Sequence, residues 1–408
     1  MTTELVDWLL LDLNSYFASV EQQLNPKLRG KPVAIVPVMA DTTSCIAASY
    51  EAKKFGVKTG TFVKDAKNMC PGIIFIEGNH ENYIKIHHQI VEAVEKCIPV
   101  HAVLSIDEMA AKLMGSERKI ENAIKIVQKI KATLARDVGE YLKCSVGLAP
   151  NRFLAKVASD MQKPDGLVIL KKSELPHSLY SLKLRDMPGI GGQMEKRLNR
   201  YGIHSMEQLC NLSEQDMRLI WNGINGERFY SWLRGIDIAL PEGETGSIGH
   251  SHVLSPELRT RDSAWVVAQK LLHKAAARLR KAALWTCSMS LSVRFLDTEE
   301  KYKTHLSMIE CQDDITLKET LGKMWQGIPK GKHYDRPMKV SIVLSNLIPD
   351  ACHNFSLFSS PRRENLAHAI DHINAKYGKN TVYFSSLQKF QAAAPTRIAF
   401  TNIPDIEV

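Results

Sequence analysis

The spacing of apolar residues changes along this chain, and that change restricts the fold more than any other feature. Up to about residue 172, short apolar runs alternate with amphipathic stretches. Trp8 to Leu11, closed by Asp12, reads as a buried strand, and Lys31 to Val38, His101 to Gly115 and Lys143 to Ala149 read as further strands. Between them, "SYEAKKFG" starts a helix that Gly56 stops. Residues 117 to 141 form a long helix with Ile120, Ala123, Ile124, Val127, Ile130 and Leu134 on one stripe, and Asn151 to Gln162 form another. From Ser173 to Ile238 the pattern is wholly helical. "DIALPEGETGS" then breaks it with Pro, Gly and acidic residues, as a linker does. Beyond Ile248 the order is strand, helix, strand, strand, helix, strand, a βαββαβ unit. After Asp350 a tail carries one clear helix, Arg363 to Tyr377, closed by Gly378.

Such a chain is α/β and α+β and multidomain. Its 408 residues exceed one ordinary core, so two to four domains are expected. A net charge of +9 suits a polyanionic partner without naming one. The eight cysteines are scattered with no C-x-x-C pair, which argues against a zinc ribbon or a disulfide framework and for free thiols in a reducing compartment. The first apolar run is too short for a signal peptide or a membrane span. The expectation is a cytoplasmic protein with no membrane association.

Two places concentrate acid at the end of an apolar strand: Asp12, and the pair Asp107–Glu108 in "VLSIDEMA". Alone, Ser105-Ile106-Asp107-Glu108 reads most simply as a cap on a helix starting at Met109. If the two strands are neighbours, three carboxylates meet at one sheet edge and raise each other's pKa unless cations intervene. Mg²⁺, which takes oxygen ligands and substrate phosphates, is the natural cation.

Four motifs extend this pattern: "LDLNSYFASVEQ", "ASYEAKKFGVKTG", "LSIDE" and "LAPNRFLAKVASDMQKPDG". Their order and spacing resemble the Y-family DNA polymerases, the lesion-bypass enzymes related to DinB and UmuC, over nearly the whole chain. The resemblance implies a right hand: palm in residues 1–20 and 81–172, fingers in 21–80, helical thumb in 173–238, linker in 239–247, a βαββαβ little finger in 248–350 and a tail in 351–408. It implies that Asp12, Asp107 and Glu108, with the main-chain carbonyl of Leu13, ligate two Mg²⁺ ions, and that a primer 3′-hydroxyl attacks the α-phosphate of a dNTP. Phe17 falls at the steric gate, although Tyr16 or Phe17 could simply pack on the palm. Tyr50, Lys53 and Lys163 would hold the triphosphate, with Asp160 supporting them. Lys53 stands where the family usually has Arg and lacks its bidentate fork. Asn14 replaces the second acid of the first motif, and Met109 to Lys112 replace the usual residues after "SIDE".

For DNA, "MPGIGGQMEKRLNRYGI" is similar to a helix-hairpin-helix, with Gly189, Gly191 and Gly192 turning backbone N–H groups toward a phosphate and Lys196 adding charge. "WNGINGERFYSWLRGID" is a second candidate. His250, His252, Arg294, Lys301 and Lys303 on little-finger strands are candidate backbone contacts. "HNFSLF" is similar to the short peptide by which bacterial bypass polymerases bind the sliding clamp, with Asn354, Leu357 and Phe358 as anchors. The expected partners are primer–template DNA, dNTP and a bacterial-type clamp, for a monomeric enzyme associated with the nucleoid. Two alternatives remain at this stage: a non-catalytic DNA- and clamp-binding accessory protein resembling ImuB, and a different two-metal phosphoryl-transfer enzyme.

Overall fold

The computed structural model describes residues 4–238, 245–353, 361–378, 380–390, 398 and 403. The chain divides into two compact units. The first takes Met1–Val36, Ser44–Pro241 and Ile398–Pro404, and the second takes Pro37–Thr43, Glu242–Arg397 and Asp405–Val408.

The first unit runs β1 (Trp8–Leu13), α1 (Tyr16–Leu24), β2 (Val33–Val36), β3 (Ala47–Ala48), α2 (Tyr50–Lys53), α3 (Val63–Met69), β4 (Ile74–Glu77), α4 (His80–Glu95), β5 (Ala102–Val103), β6 (Glu108–Lys112), α5 (Ile120–Asp137), β7 (Cys144–Ala149), α6 (Arg152–Met161) and β8 (Leu167–Ile169). Four helices follow: α7 (Gly192–Arg200), α8 (Met206–Cys210), α9 (Glu214–Trp221) and α10 (Ile224–Leu233). The main sheet has the order β5-β6-β1-β7-β8, with β1 antiparallel to both neighbours. Every residue of β1 and β7 is buried, as near-continuous apolar strands require cover on both faces. A smaller sheet, β3-β2-β4, carries the second motif.

Helix α6 lies tight on the main sheet. A Cβ at Gly147 would fall 2.0 Å from the Ala155 carbonyl oxygen and 2.6 Å from the Ser159 nitrogen, so only glycine permits this approach. The Asn151 side chain accepts from Leu154 N at 2.8 Å and so starts the helix. Its amide also donates to the Trp232 carbonyl in the last turn of α10 and to the Ile236 carbonyl just past it, anchoring the helical block to the same corner.

The second unit runs β9 (Ser247–Val253), α11 (Arg261–Lys281), β10 (Leu284–Phe295), β11 (Lys301–Cys311), α12 (Asp314–Gln326), β12 (Pro337–Pro349) and α13 (Pro361–Tyr377). Its sheet has the order β11-β10-β12-β9, antiparallel throughout. One face is covered by α11 and α12, through a core that includes Ile248, Leu291, Ile342, Leu271 and Leu317. Arg280 of α11 joins α13 to this core by pairing with Asp371, Nε to Oδ2 at 2.5 Å.

Three expectations change. The run from His101 to Gly115 is not one strand: β5 and β6 pair with each other, and residues 104–107 form the turn between them. Glu108 therefore opens β6, with Asp107 the last turn residue before it, and no helix begins at Met109. The 117–141 helix is shorter, Ile120–Asp137, with a 3₁₀ turn before it, because Lys119 is extended. The strand β8 was not anticipated. It is three residues long, too short for a period-two pattern to emerge.

Candidate active site

The register of β1 against β6 decides the site. Asp12, near the C-terminal end of β1, is paired directly with Glu108, the first residue of β6. Because the strands are antiparallel, the end of one meets the start of the other. Asp107 is the turn residue just before, and its carbonyl accepts from Leu13 N at 2.8 Å. The three carboxylates thus come together at one end of the central strand pair.

Their surroundings are largely shielded from water. Asp12 is 4% exposed. Burial raises the pKa of Asp107, opposed by the Ser105 hydroxyl, which donates to Oδ1 at 2.6 Å, and reinforced by Asp12. Burial also raises Glu108, against the pull of Lys156. Two ammonium groups offset this charge. Lys163 Nζ lies 2.6 Å from Asp12 Oδ1, and Lys156 Nζ lies 2.6 Å from Asp12 Oδ2 and 3.0 Å from Glu108 Oε1. Burial works to lower both lysines, yet Asp12 and the neighbouring carboxylates leave them above the ordinary lysine value. Among the described residues, no three His, Cys, Asp or Glu side chains are grouped closely enough to hold a metal ion as they stand.

Tyr50, Lys53, Lys163 and Asp160 gather beside the acids. Lys53 Nζ donates to Ser15 Oγ at 2.6 Å and lies 4.4 Å from the centre of the Tyr50 ring. Its pKa is lowered, first by burial and then by repulsion from Lys163, with Asp12 opposing. Unlike Lys156 and Lys163, this cation has too little negative charge around it. Asp160 pairs with both other lysines, at 3.1 Å to Lys156 and 2.8 Å to Lys163. Asn14 steadies the loop that carries Lys163: its amide donates to Ser145 Oγ at 3.1 Å, and its Oδ1 accepts from Asp165 N at 2.8 Å. A carboxylate there could not donate to Ser145, which accounts for the amide at this position.

Tyr16 and Phe17 separate cleanly. Tyr16 is buried and donates to the Tyr83 carbonyl at 2.6 Å. Phe17 is half-buried and stacks on the Tyr83 ring at 4.5 Å, leaving an edge available.

In the helical block Gly189 has φ +88, and α7 starts at Gly192 after Gly191. A Cβ at Gly189 or Gly191 would meet nothing within 4 Å, so the backbone there is open. Lys196 is exposed on α7. In the second unit, Arg294 is exposed on the open face of the sheet. His250 and His252 are not on that face: they alternate with Ser247, Gly249 and Ser251, pair with Ile342 and Val340, and point toward the covering helices. His252 is 5% exposed, so the assignment of these two as DNA contacts is corrected. The open face instead presents Ser251, Ser341, Ser292 and Lys303 in one cross-strand row and Lys339, Arg294 and Lys301 in the next. Asn354, Leu357 and Phe358 lie outside the described residues.

Sequence reasoning missed Lys156. The signal was there: it precedes Asp160 by four residues, which puts the two on one face of α6. The histidines could also have been placed, since Ile248 and Leu254 share their parity.

Comparison with known proteins agrees with this arrangement. The model of the impB/mucB/samB family matches residues 11–160, and that of the family's C-terminal domain matches 245–357. A model described as the DNA polymerase-iota thumb domain matches 185–237. The chain is 30% identical over 387 residues to DNA polymerase IV of Moorella thermoacetica, covering 92% of this chain and 94% of that one. It is 30% identical over 389 residues to DNA polymerase IV 1 of Bacillus subtilis, covering 91% of each. Among solved structures, a Y-family DNA polymerase chimera of Dbh and Dpo4 superposes with a TM-score of 0.70 at 22% identity, covering 84% of this chain and 99% of that one. These last figures speak for the fold.

Proposed function

This chain belongs to the impB/mucB/samB family of Y-family DNA polymerases, and from that premise we propose how its residues divide the work of template-directed synthesis. The activity is that of a DNA-directed DNA polymerase of the translesion class, built as a right hand of palm, fingers, thumb and little finger. The palm is the five-stranded sheet with its helices, the fingers are the β3-β2-β4 sheet, the thumb is α7 to α10 and the little finger is the βαββαβ unit.

The observation that carries the assignment of roles is the Asp12–Glu108 pairing, with Asp107 beside it and the Tyr50–Lys53–Lys163 set next to it. Three shielded carboxylates, two of them pushed up in pKa by burial, are hard oxygen donors that suit a hard divalent cation. Asp12, Asp107, Glu108 and the Leu13 carbonyl would hold two Mg²⁺ ions. When bound, these ions neutralise charge on the attacking hydroxyl and the leaving pyrophosphate. Lys53, short of counter-charge, and Lys163 receive the triphosphate, with the Tyr50 ring and Ser15 fixing the Lys53 ammonium. Phe17 lies under the sugar and excludes a 2′-hydroxyl. Catalysis here is mainly positioning and charge neutralisation.

The thumb hairpin at Gly189, Gly191 and Gly192, with Lys196, holds a DNA phosphate through backbone N–H groups. The little finger contacts the DNA backbone through Arg294, Lys301, Lys303 and the serine rows rather than through its histidines. Serine hydroxyls and lysines suit phosphate contacts that carry no sequence information. The "HNFSLF" peptide is the sliding-clamp anchor, and the enzyme works as a cytoplasmic monomer at the nucleoid. Among the described residues no helix is long and apolar enough to cross a membrane. An accessory role like that of ImuB would leave the converging acids without a purpose.

The test is primer extension by wild type and Asp107→Ala, with dNTPs and Mg²⁺. Wild type extends the primer and the variant, still folded, does not. If wild type fails to extend across a range of salt, or the variant extends as well, the assignment is wrong.

A further inference from the structure

Both oxygens of Asp12 are already taken, Oδ1 by Lys163 and Oδ2 by Lys156, each at 2.6 Å. Lys156 reaches Glu108 as well, at 3.0 Å. These are the oxygens a divalent cation would use if Asp12 and Glu108 are its ligands, the reading on which this inference rests. An ammonium in hydrogen-bond contact with an oxygen and a divalent cation on the same oxygen are two positive charges within a few ångströms, shielded from water. They are alternatives. Moreover, the lysine has somewhere to go. Asp160 lies one turn further along α6, already 3.1 Å from Lys156, and at 37% side-chain exposure against 6% for Asp12 it sits nearer water.

We propose that Lys156 competes with the catalytic cation for Asp12 and Glu108, and that cation entry drives it onto Asp160. Lys156 is then a positioning residue. It keeps Asp12 and Glu108 from repelling one another while the cation is away, and it yields its place when the cation arrives. The exchange needs no proton transfer, only rotation about the lysine side chain. It makes the carboxylate cluster tolerable before metal binds, and it keeps metal affinity low until nucleotide draws Lys163 away from Asp12 as well.

The experiment measures binding of Mn²⁺ alone to the full chain, without DNA or nucleotide, by the loss of free-ion paramagnetic resonance signal. Lys156→Met should bind Mn²⁺ about tenfold more tightly than wild type, a typical coupling between two ligands of one site. Asp160→Asn, which removes the lysine's alternative partner, should bind more weakly. A change of general electrostatics would make the two effects additive. The exchange instead requires that the Asp160→Asn effect shrink in the Lys156→Met background to the share that Asp160 exerts through Lys163. If Lys156→Met fails to keep native circular dichroism, Lys156→Gln is read in its place. Unchanged or weaker Mn²⁺ binding in that variant, or strict additivity in the double variant, overturns the proposal. The underlying ligand reading is checked separately: if Asp12→Asn leaves Mn²⁺ binding intact, that reading fails, whereas if Asp12→Asn abolishes binding and Lys156→Met changes nothing, only the exchange fails.

Discussion

At the scale of single residues, position along a helix or strand separates neighbours of similar chemistry. Tyr16 and Phe17 are adjacent aromatics, yet one is locked by its hydroxyl to the Tyr83 carbonyl and the other keeps an edge free. This predicts that Phe17→Ala lowers discrimination between dNTP and rNTP by about a hundredfold, the range expected when a packed surface stops excluding one extra group. Steady-state incorporation of each nucleotide measures it, and unchanged discrimination would remove Phe17 as the gate. His250 and His252 make the opposite point. A histidine on a basic sheet suggests a phosphate contact, but here burial comes first, with Arg278 and Lys274 nearby, and holds the His250 imidazole down at about 4 against an ordinary 6.5.

At the scale of elements, the site depends on how closely α6 can lie on the sheet. Gly147 sets that distance, and a methyl group there would overlap backbone atoms that cannot rotate away. Gly147→Ala is expected to destabilise the chain by more than about 3 kcal/mol, as overpacking against fixed backbone does. Urea unfolding reads this directly, and a loss below 1 kcal/mol, roughly a surface substitution, would contradict it. Strand faces give a second prediction. Arg294→Ala, on the open face of the little-finger sheet, should weaken DNA binding for all sequences and reduce the slope of log affinity against log salt by about one. His252→Ala should leave that slope unchanged while lowering stability. An equal loss of slope in both variants would return the histidines to the interface.

For the whole molecule, two compact units predict two calorimetric transitions rather than one. Acid should distinguish them. As pH falls from 6.5 toward 4, the unfolded chain protonates His250 while the folded unit does not, so protons favour unfolding and the little-finger transition moves down. His250→Gln should remove most of that acid sensitivity; a variant as acid-sensitive as wild type would show that the effect comes from elsewhere. The sequence alone determined part of this protein: the helical block between two mixed regions, the βαββαβ order beyond it, and the acids Asp12, Asp107 and Glu108 beside apolar runs. Those follow from local periodicity and from side-chain chemistry that does not depend on distant neighbours. It did not place the turn that splits "VLSIDEMA" from its strand, because Ser105 to Glu108 read most simply as a helix cap until β5 folds back onto β6. The tertiary structure alone decided the pairing of Asp12 with Glu108, the face on which His250 and His252 lie, and the hold of Lys156 on three carboxylates. Each of these turns on strand register or helix approach, which are set by contacts between residues far apart in the chain.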